Sequence, residues 1–303
     1  MKRIGIAVLA ALTLFTSVPA GAVETGLFDF FAGQRESGET EEIECEDIRP
    51  KRGDHAPRRH EHPERREEDA AQTAVVGWYC KHEKDGKRPA LPREFAGLEE
   101  NGGIYLGPDE PVIYLTFDAG YENGNVEKIL DVLKEEEVPG AFFILENLVE
   151  RNPELVERMA AEGHLVCNHT AHHKNMTTLS QAAFERELRE MEDCYRELTG
   201  AELAKFYRPP EGKVTADNLR WAKGMGYATV LWSFAYADWD NAHQMKPADA
   251  VEKVIAGTHN GEVLLLHPTS ATNAEILPEL IHRWKNMGYR FGTLDELTAR
   301  GGT

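Results

Sequence analysis

Six residues that could take part in catalysis follow apolar, strand-like segments of the chain. They are Asp118, His169, His173, Arg208, Asp238 and His267. In a parallel β/α barrel the carboxyl ends of the strands share one face, and the loops on that face build the active site. Each residue alone also has a structural explanation, such as a turn, a helix cap or a buried histidine. Their common position favours a shared active site.

This set of residues has the chemistry needed to hydrolyse an amide or an ester. Asp118 is predicted to take a proton from the attacking water, and His267 to protonate the departing group. His169 and His173 lie four residues apart in "HTAHH", so a tight turn or a helical turn brings both imidazoles to one ion, with His172 as an alternative second ligand. A divalent metal there would lower the pKa of bound water and polarise a carbonyl group.

Arg208 and Asp238 carry opposite charges on the same predicted rim. We expect them to pair with each other and hold the rim, or to tune the base. Either arrangement would keep charged groups beside the reacting atoms.

The elements that position these residues begin after Pro111, where short apolar runs alternate with segments of helical periodicity. The predicted strands are 112–117, 140–145, 164–168, 204–207, 228–234, 262–266 and 289–294. The predicted helices are 125–137, 152–163, 180–200, 215–226, 247–257 and 274–288. This alternation predicts a parallel sheet covered by helices, either open and doubly wound or closed into a barrel. No glycine-rich phosphate loop follows the first strand, so the sequence does not support nucleotide binding.

The N-terminal residues indicate export. Lys2 and Arg3 precede the apolar stretch "IGIAVLAALTLF", and the small residues 20–22 follow as a cleavage site. An uncleaved membrane anchor is the alternative, but this stretch is short for a bilayer span, which needs about 20 residues. We expect no membrane span after cleavage and a location outside the cytoplasm, either secreted or in the cell envelope.

The chain of 303 residues therefore divides into four predicted segments. A signal peptide at 1–22 is followed by a charged, disordered spacer at 23–74, because mixed charges with few apolar residues cannot offset the entropy of ordering. An N-terminal extension at 75–110 is expected to pack on the barrel. The catalytic domain is predicted to span 111–298.

Composition limits the partners. The formal net charge of −18 argues against nucleic acid, since a polyanion usually requires a basic patch. The four cysteines are too few and too scattered for a disulfide scaffold, and a bridge between Cys45 and Cys80 stays open beside free thiols. We expect a monomer.

Five motifs in order resemble the polysaccharide deacetylases of carbohydrate esterase family 4, which share the NodB homology domain. They are "TFDAG" at 116–120, "HTAHH" at 169–173, "RPPEG" at 208–212, "DW" at 238–239 and "LLH" at 265–267. The resemblance covers about residues 104–297. The wider sequence around these motifs, and "VVGWYCK" before the barrel, resemble the branch that deacetylates N-acetylmuramic acid on the way to the muramic δ-lactam of spore cortex peptidoglycan.

The resemblance implies a distorted (β/α) barrel of about seven parallel strands that acts on the glycan strands of peptidoglycan. In it Asp118 would be the base and His267 the acid, with Arg208 and Asp238 supporting the base. Three residues would contact the sugar: Trp239, Tyr121 and Leu265.

The metal site departs from the family pattern. The resemblance makes His169 and His173 ligands of a divalent ion, with Zn²⁺ the expected metal. Most members follow the base with a second aspartate as third ligand, whereas this chain has Ala119 there, and the muramic branch also lacks that aspartate. The site would therefore hold metal weakly, take Asp118 or water as third ligand, or work without a tightly bound ion.

Cys167 is a second departure, since a small glycine is usual at that position. Two residues before His169 in a strand, it faces the same side of the sheet. Free cysteine behaves mainly as a small buried hydrophobe, so we expect Cys167 to fill the barrel rather than to bind metal.

Three functions remain open from the sequence. The first is an N-deacetylase of muramic acid residues in peptidoglycan. The second keeps the chemistry but acts on N-acetylglucosamine in peptidoglycan or chitin-like glycans. The third is a catalytically weakened glycan-binding module, for which Ala119 is the reason, although binding alone needs neither a base nor an acid. An active enzyme should have a bell-shaped pH profile.

Overall fold

The protein was analysed as a computed structural model that describes residues 74–300. The predicted signal peptide lies outside the described residues, as does all of the predicted spacer except Ala74. Within the described part, no helix is both long enough and apolar enough to cross a bilayer.

Ten strands are present in residues 74–300, and the seven predicted ones are among them. They are β1 Val76–Gly77, β2 Gly103–Ile104, β3 Val112–Ala119, β4 Ala141–Ile144, β5 Leu165–Asn168, β6 Ala204–Tyr207, β7 Lys213–Val214, β8 Ala228–Val230, β9 Glu262–Leu266 and β10 Arg290–Phe291. The three strands that were not predicted, β1, β2 and β7, have two residues each and so show no apolar alternation of their own. Strand β10 is equally short but lies within the longer predicted segment 289–294.

Eight of these strands form one parallel sheet. Its order is β10-β3-β4-β5-β6-β8-β2, and β9 pairs with β3. The segment after β8 also reaches β9, because the Ser233 amide donates to the Val263 carbonyl at 2.9 Å and the Leu265 amide to the Phe234 carbonyl at 2.9 Å. The sheet therefore curls toward closure, and the predicted (β/α) barrel is confirmed over an open doubly wound sheet.

Eight α-helices follow or connect the strands in the described residues. They are α1 Val126–Glu135, α2 Glu146–Arg151, α3 Pro153–Ala161, α4 Gln181–Thr199, α5 Ala216–Gly224, α6 Pro247–Gly257, α7 Ala271–Asn286 and α8 Leu294–Arg300. Six of them match predicted helices, whereas α2 and α8 were not predicted. Both have fewer than eight residues, so neither spans enough turns for a clear apolar stripe.

Alternation along β3 decides which way the catalytic candidates face. Ile113, Leu115 and Phe117 belong to the apolar cluster between the sheet and the helices. Val112 and Tyr114 belong to a second cluster, made largely of strand residues. Because successive side chains of a strand point to opposite faces, Asp118 lies on the inner side of the barrel, above these two residues.

The segment before the barrel supports the "RPPEG" loop. Strand β1 pairs with β7 in antiparallel fashion, and the Trp78 amide donates to the Gly212 carbonyl at 2.9 Å. The indole Nε1 of Trp78 donates to the Trp232 carbonyl at 2.9 Å. Gly212 has a φ of 65°, and a Cβ there would lie 2.8 Å from the Trp232 ring, so only glycine fits between the two tryptophans.

Candidate active site

Asp118 lies at the carboxyl end of β3 and is held by a buried arginine. Arg208 Nη1 donates to Asp118 Oδ1 at 2.8 Å, and Nη2 donates to the Thr116 hydroxyl at 2.8 Å. Arg208 Nε donates to the Val230 carbonyl at 3.0 Å, and the guanidinium stacks over the Phe143 ring at 4.1 Å. Arg208 is fully buried, so its position is fixed by contacts on every side.

This pair sets the charge of Asp118. Burial on its own would raise the pKa of the carboxyl group, but the adjacent Arg208 guanidinium, with His169 and His267, outweighs burial and lowers it. Asp118 is therefore ionised at neutral pH and able to accept a proton.

Of the two alternatives expected for Arg208 and Asp238, their pairing with each other is wrong, whereas Arg208 does contact the predicted base; the expectation that Asp238 supports that base is also wrong. Arg208 pairs with Asp118, whereas Asp238 contacts His267. The sequence placed both charges on one rim but could not tell which strand ends lie next to each other across it.

His267 follows β9 and is oriented by Asp238, which is buried. The ring Nδ1–H donates to Asp238 Oδ1 at 2.7 Å, and the His267 amide donates to Oδ2 at 2.8 Å. Oδ2 also accepts from Asn273 Nδ2 at 2.6 Å. With Nδ1 used by Asp238, Nε2 is the ring nitrogen left for proton transfer.

Asp238 also sets the charge of His267. Burial would lower the pKa of the imidazole, but the Asp238 carboxylate outweighs burial and raises it. Asp118 raises this pKa further, since it follows Phe117 on β3, which lies opposite Leu266 on β9, the residue before His267. His267 is thus suited to hold a proton and to deliver it through Nε2.

The "HTAHH" segment forms a turn after β5, not a helix. Thr170 and His173 both have positive φ values, 75° and 54°, which non-glycine residues adopt at an energetic cost and often at functional sites. Side chains compensate for that cost, because the Asn168 Oδ1 accepts from the Thr170 amide at 2.8 Å and the Thr170 hydroxyl accepts from the His173 amide at 2.9 Å.

The turn brings His169 and His173 together, with ring centroids 5.0 Å apart. His169 Nδ1 lies 2.9 Å from the Arg208 carbonyl, so Nδ1 carries the hydrogen and Nε2 keeps its lone pair. This Nε2 faces Asp118 Oδ2 at 3.7 Å. Burial lowers the pKa of His169, and it lowers the pKa of His173 to about 4. Both rings are neutral at pH 7, as metal ligands must be.

The chemistry of this donor set fits a divalent ion, with two neutral imidazoles and a carboxylate oxygen that faces one of them. The potential ligand atoms of His169, His173 and Asp118 do not all lie within 4.8 Å of one another. Ala119, where a third ligand is expected, is fully buried in the apolar cluster that contains Phe117 and Ile144, so it contributes packing and no ligand.

A different group of potential ligands lies closer together. Within residues 74–300, one set of three potential ligands has its ligand atoms within 4.8 Å of one another: His172, Glu187 and Glu190. Lys174 Nζ lies 2.6 Å from Glu187 Oε1, so an ammonium group already neutralises part of that charge. His172 points toward these glutamates, so the sequence-based preference for His173 over His172 beside His169 agrees with the geometry.

The proposed sugar contacts differ in exposure. Trp239 is 47% exposed, with its ring centroid 6.2 Å from that of His267, and Tyr121 is 40% exposed. The Tyr121 hydroxyl accepts from Asn241 Nδ2 at 2.8 Å. Leu265 is only 4% exposed, so it lies beneath the site rather than along an open groove. Cys167 is fully buried among barrel residues, as expected of a packing residue, and burial raises the pKa of its thiol.

Thr116 and Asn273 were missed by the sequence reasoning. Thr116 accepts from Arg208 and donates to the Leu264 carbonyl at 2.7 Å, and Asn273 donates to Asp238. Thr116 carries a usable signal, because it shares a strand face with Asp118 two residues later. Asn273 directly precedes the predicted helix 274–288, and an asparagine at that position normally indicates a helix cap.

Comparison with known proteins places the chain in a family. A model of the polysaccharide deacetylase family matches residues 106–230. The chain is 36% identical over 233 residues to the peptidoglycan-N-acetylmuramic acid deacetylase PdaA of Bacillus subtilis, covering 76% of this chain and 89% of that protein. It is 31% identical over 209 residues to a peptidoglycan-N-acetylglucosamine deacetylase of Bacillus cereus, covering 67% and 74%.

The fold matches as well. The solved structure of Bacillus subtilis PdaA, described as a family 4 carbohydrate esterase, superimposes with a TM-score of 0.73 at 36% identity and covers 75% of this chain and 98% of that chain. The chain therefore belongs to the polysaccharide deacetylase family, carbohydrate esterase family 4, whose members are hydrolases of carbon–nitrogen bonds.

Proposed function

We propose that this enzyme removes the acetyl group from N-acetylmuramic acid residues of peptidoglycan and so prepares them for muramic δ-lactam formation in spore cortex. The observation that carries the proposal is the pairing of Asp118 with Arg208 and of His267 with Asp238 on one barrel rim. One pair supplies a base and the other an acid, which is what the hydrolysis of an acetamide requires.

Asp118 acts first, as the general base. Its carboxylate takes a proton from the water that attacks the acetamide carbonyl, and a tetrahedral intermediate forms. Arg208 keeps Asp118 ionised and in place through its contact with Oδ1, which leaves Oδ2 for the proton. The reaction therefore begins with one carboxylate oxygen fixed and the other available.

His267 acts second, as the general acid. Its Nε2 donates a proton to the amide nitrogen as the C–N bond breaks, because an unprotonated amine leaves poorly. The products are acetate and a free amine on the sugar. Asp238 stabilises the imidazolium through Nδ1–H and holds the ring in the required tautomer.

Deacetylases of this family generally depend on a metal, and a divalent ion held by His169 and His173 would lower the pKa of bound water and polarise the acetamide carbonyl. In this chain Asp118 or water would take the third position, because Ala119 offers no ligand.

The surroundings of the pair fit a glycan substrate. The exposed Trp239 ring beside His267 provides an apolar wall of the kind that sugar rings stack on. Because the substrate lies in the cell wall, we further propose that the enzyme works outside the cytoplasm, as its N-terminal sequence predicts.

The muramic acid residue is favoured over glucosamine by the two relatives. Identity is 36% to the muramic acid deacetylase, with 89% of that protein covered, against 31% and 74% for the glucosamine deacetylase. The second relative also supports the alternative, a deacetylase of N-acetylglucosamine in peptidoglycan or chitin-like glycans. Both activities use the same base and acid, so the choice depends on the sugar that binds.

The test offers the full-length enzyme three glycans: peptidoglycan strands freed of stem peptides by an amidase, untreated peptidoglycan, and chitin oligomers. Acetate release is measured with and without added Zn²⁺, and mass spectrometry locates the free amine. We expect acetate from the amidase-treated strands, with free amines on muramic acid.

The His267→Ala variant serves as the matched control and should release no acetate above background. Free amines on glucosamine alone would establish the alternative. No acetate from any of the three glycans, under all metal conditions, would refute both activities.

A further inference from the structure

We propose that Asn273 is a positioning residue for the general acid, because its side-chain amide fixes the carboxylate of Asp238 that orients His267. The proposal deepens the proposed function and rests on it for its kinetic consequences. Its structural consequence, the geometry of the His267–Asp238 hydrogen bond, can be measured without any substrate.

The first observation is a comparison of two helix starts. Helix α5 begins after Thr215, whose hydroxyl accepts from the Asn218 amide at 3.1 Å. Asn218 returns the contact, since its Oδ1 accepts from the Thr215 amide at 3.3 Å. Asn218 is thus an ordinary member of a reciprocal cap, in which both residues satisfy free amides of the first turn.

Asn273 occupies the same position in α7 but does something else. Ser270 precedes the helix, and its hydroxyl accepts from the Asn273 amide at 3.1 Å. The Ser270 amide, however, donates to the His267 carbonyl at 3.1 Å. The Asn273 side chain is therefore free of capping and points toward the acid instead.

The side-chain hydrogen bonds of Asn273 all go to His267, to Asp238 or to the nearby Tyr236. Asn273 Nδ2 donates to Asp238 Oδ2 at 2.6 Å and to the His267 carbonyl at 3.0 Å. Its Oδ1 accepts from the Tyr236 hydroxyl. Asn273 is fully buried, so water does not compete for these contacts. The amide has one acceptor and one donor side, and Tyr236 fixes which side faces the carboxylate.

This arrangement assigns both oxygens of Asp238. Oδ2 is occupied by Asn273 and the His267 amide, so Oδ1 is left to accept from Nδ1–H of the ring. Without Asn273, Oδ2 keeps only the His267 amide, so the carboxylate is held by one contact fewer and its orientation toward the ring Nδ1–H is less firmly fixed. The other charged groups acting on His267 are Asp118 and Arg208, and neither contacts Asn273.

The primary experiment is proton NMR of the full-length protein labelled with ¹⁵N-histidine, which detects the downfield Nδ1–H of His267 held by Asp238. We expect this resonance in the parent and its loss or broadening in Asn273→Ala. Asn273→Asp should behave alike, since it keeps the shape but places an acceptor against Asp238. The resonance is assigned by its absence in His267→Ala.

Kinetics provide the second measurement, on a glycan from which the parent releases acetate. We expect Asn273→Ala to lower kcat about 10- to 100-fold, by analogy with the range found when hydrogen-bond partners that orient metal-binding histidines are removed. KM should change little, and the alkaline limb of the pH profile should move to lower pH, because a loosened carboxylate holds the proton on His267 less well.

Two controls separate positioning from a structural role. Asn218→Ala removes an equally buried first-turn asparagine and should lower the melting temperature without altering the His267 resonance or the alkaline limb. Tyr236→Phe should give a smaller loss of kcat in the same direction as Asn273→Ala, and it keeps the test usable if Asn273→Ala does not fold.

The outcomes are distinct. A His267 resonance that persists unchanged in Asn273→Ala or, should that variant not fold, an unchanged kcat in Tyr236→Phe, overturns the proposal. The same resonance loss in Asn218→Ala also overturns it, since the effect would then be general. Loss of the resonance in Asn273→Ala alone supports positioning even if the parent fails to act on muramic acid, which would refute only the proposed function.

Discussion

Two carboxylates on the same rim, the partly buried Asp118 and the buried Asp238, each form a close hydrogen-bonded ion pair with one basic side chain, but the partners differ in kind. Asp118 is paired with Arg208, which is charged at all physiological pH values. Asp238 is paired with His267, whose charge changes near neutrality. The basic partner of Asp118 therefore keeps its charge at every physiological pH, whereas the basic partner of Asp238 gains or loses its charge as the pH changes.

The difference explains how two similar pairs suit the opposite roles proposed for them. In the first, the fixed cation lowers the pKa of the Asp118 carboxyl group, so the carboxylate is ready to accept a proton. In the second, the carboxylate raises the pKa of the His267 imidazole, so the ring is ready to give one. Activity should fall as the pH drops through the pKa of Asp118 and as it rises through that of His267.

The largest effect is expected from breaking the first pair by Asp118→Asn. This change removes the proposed base but keeps its shape, so kcat should fall about 10³- to 10⁴-fold, in the upper part of the range for general acid–base catalysis. Arg208 would lose its carboxylate while still buried, which should lower the free energy of unfolding by up to about 3–5 kcal/mol. Acetate release and urea unfolding measure the two effects.

The residual activity of Asp118→Asn should also lose its acidic limb, since no carboxylate remains to be protonated there. A variant that keeps activity within tenfold of the parent would show that another group takes the proton from water.

A smaller effect is expected from breaking the second pair by Asp238→Asn. His267 would lose the carboxylate that raises its pKa, so the alkaline limb of kcat should move to lower pH, and kcat should fall about 10²-fold. The raised pKa also stabilises the parent at pH values below the unfolded-state pKa of His267. That contribution is lost as the pH rises through the folded-state pKa, and Asp238→Asn should remove it.

Asp240, two residues after Asp238, provides a matched control. Asp240 accepts from His243 Nδ1 at 2.7 Å, the same contact as between Asp238 and His267, but both side chains are exposed. Asp240→Asn should leave the alkaline limb and kcat unchanged, because solvent screens the exposed pair. If the alkaline limb moves equally in Asp238→Asn and Asp240→Asn, it does not reflect the protonation of His267.

The comparison of the two pairs also shows what could be predicted from sequence. The seven main strands and six helices were predictable because apolar periodicity records how each segment packs, and the site residues because they follow those strands. The partner of Arg208 was not predictable. It lies 90 residues away on a strand three positions along the sheet, and nothing local in "AKFYRPP" encodes that distance.

The local backbone conformation of the site could not be predicted from the sequence either. The turn of "HTAHH" depends on two residues with positive φ, held by side chains of Asn168 and Thr170. Helical spacing and this turn both bring residues i and i+4 together, so the sequence left the two open. Asn273 shows the same limit, because its sequence position predicts a helix cap and only its contacts reveal the Asp238 carboxylate.

The smallest effect is expected from replacing His172, which belongs to neither ion pair although it is next to the candidate metal ligand His173. His172 is exposed and contacts Glu187 and Glu190, whereas His173 is turned toward His169 and largely buried. His172→Ala should therefore change kcat by no more than about twofold, as is usual for surface substitutions.

His173→Ala should lower both kcat and the affinity for Zn²⁺, measured by titration calorimetry at pH 7. If His172→Ala abolishes Zn²⁺ binding while His173→Ala preserves it, the ion belongs with Glu187 and Glu190. Asp118 and His267 would then have to hydrolyse the acetamide without a metal ion between them.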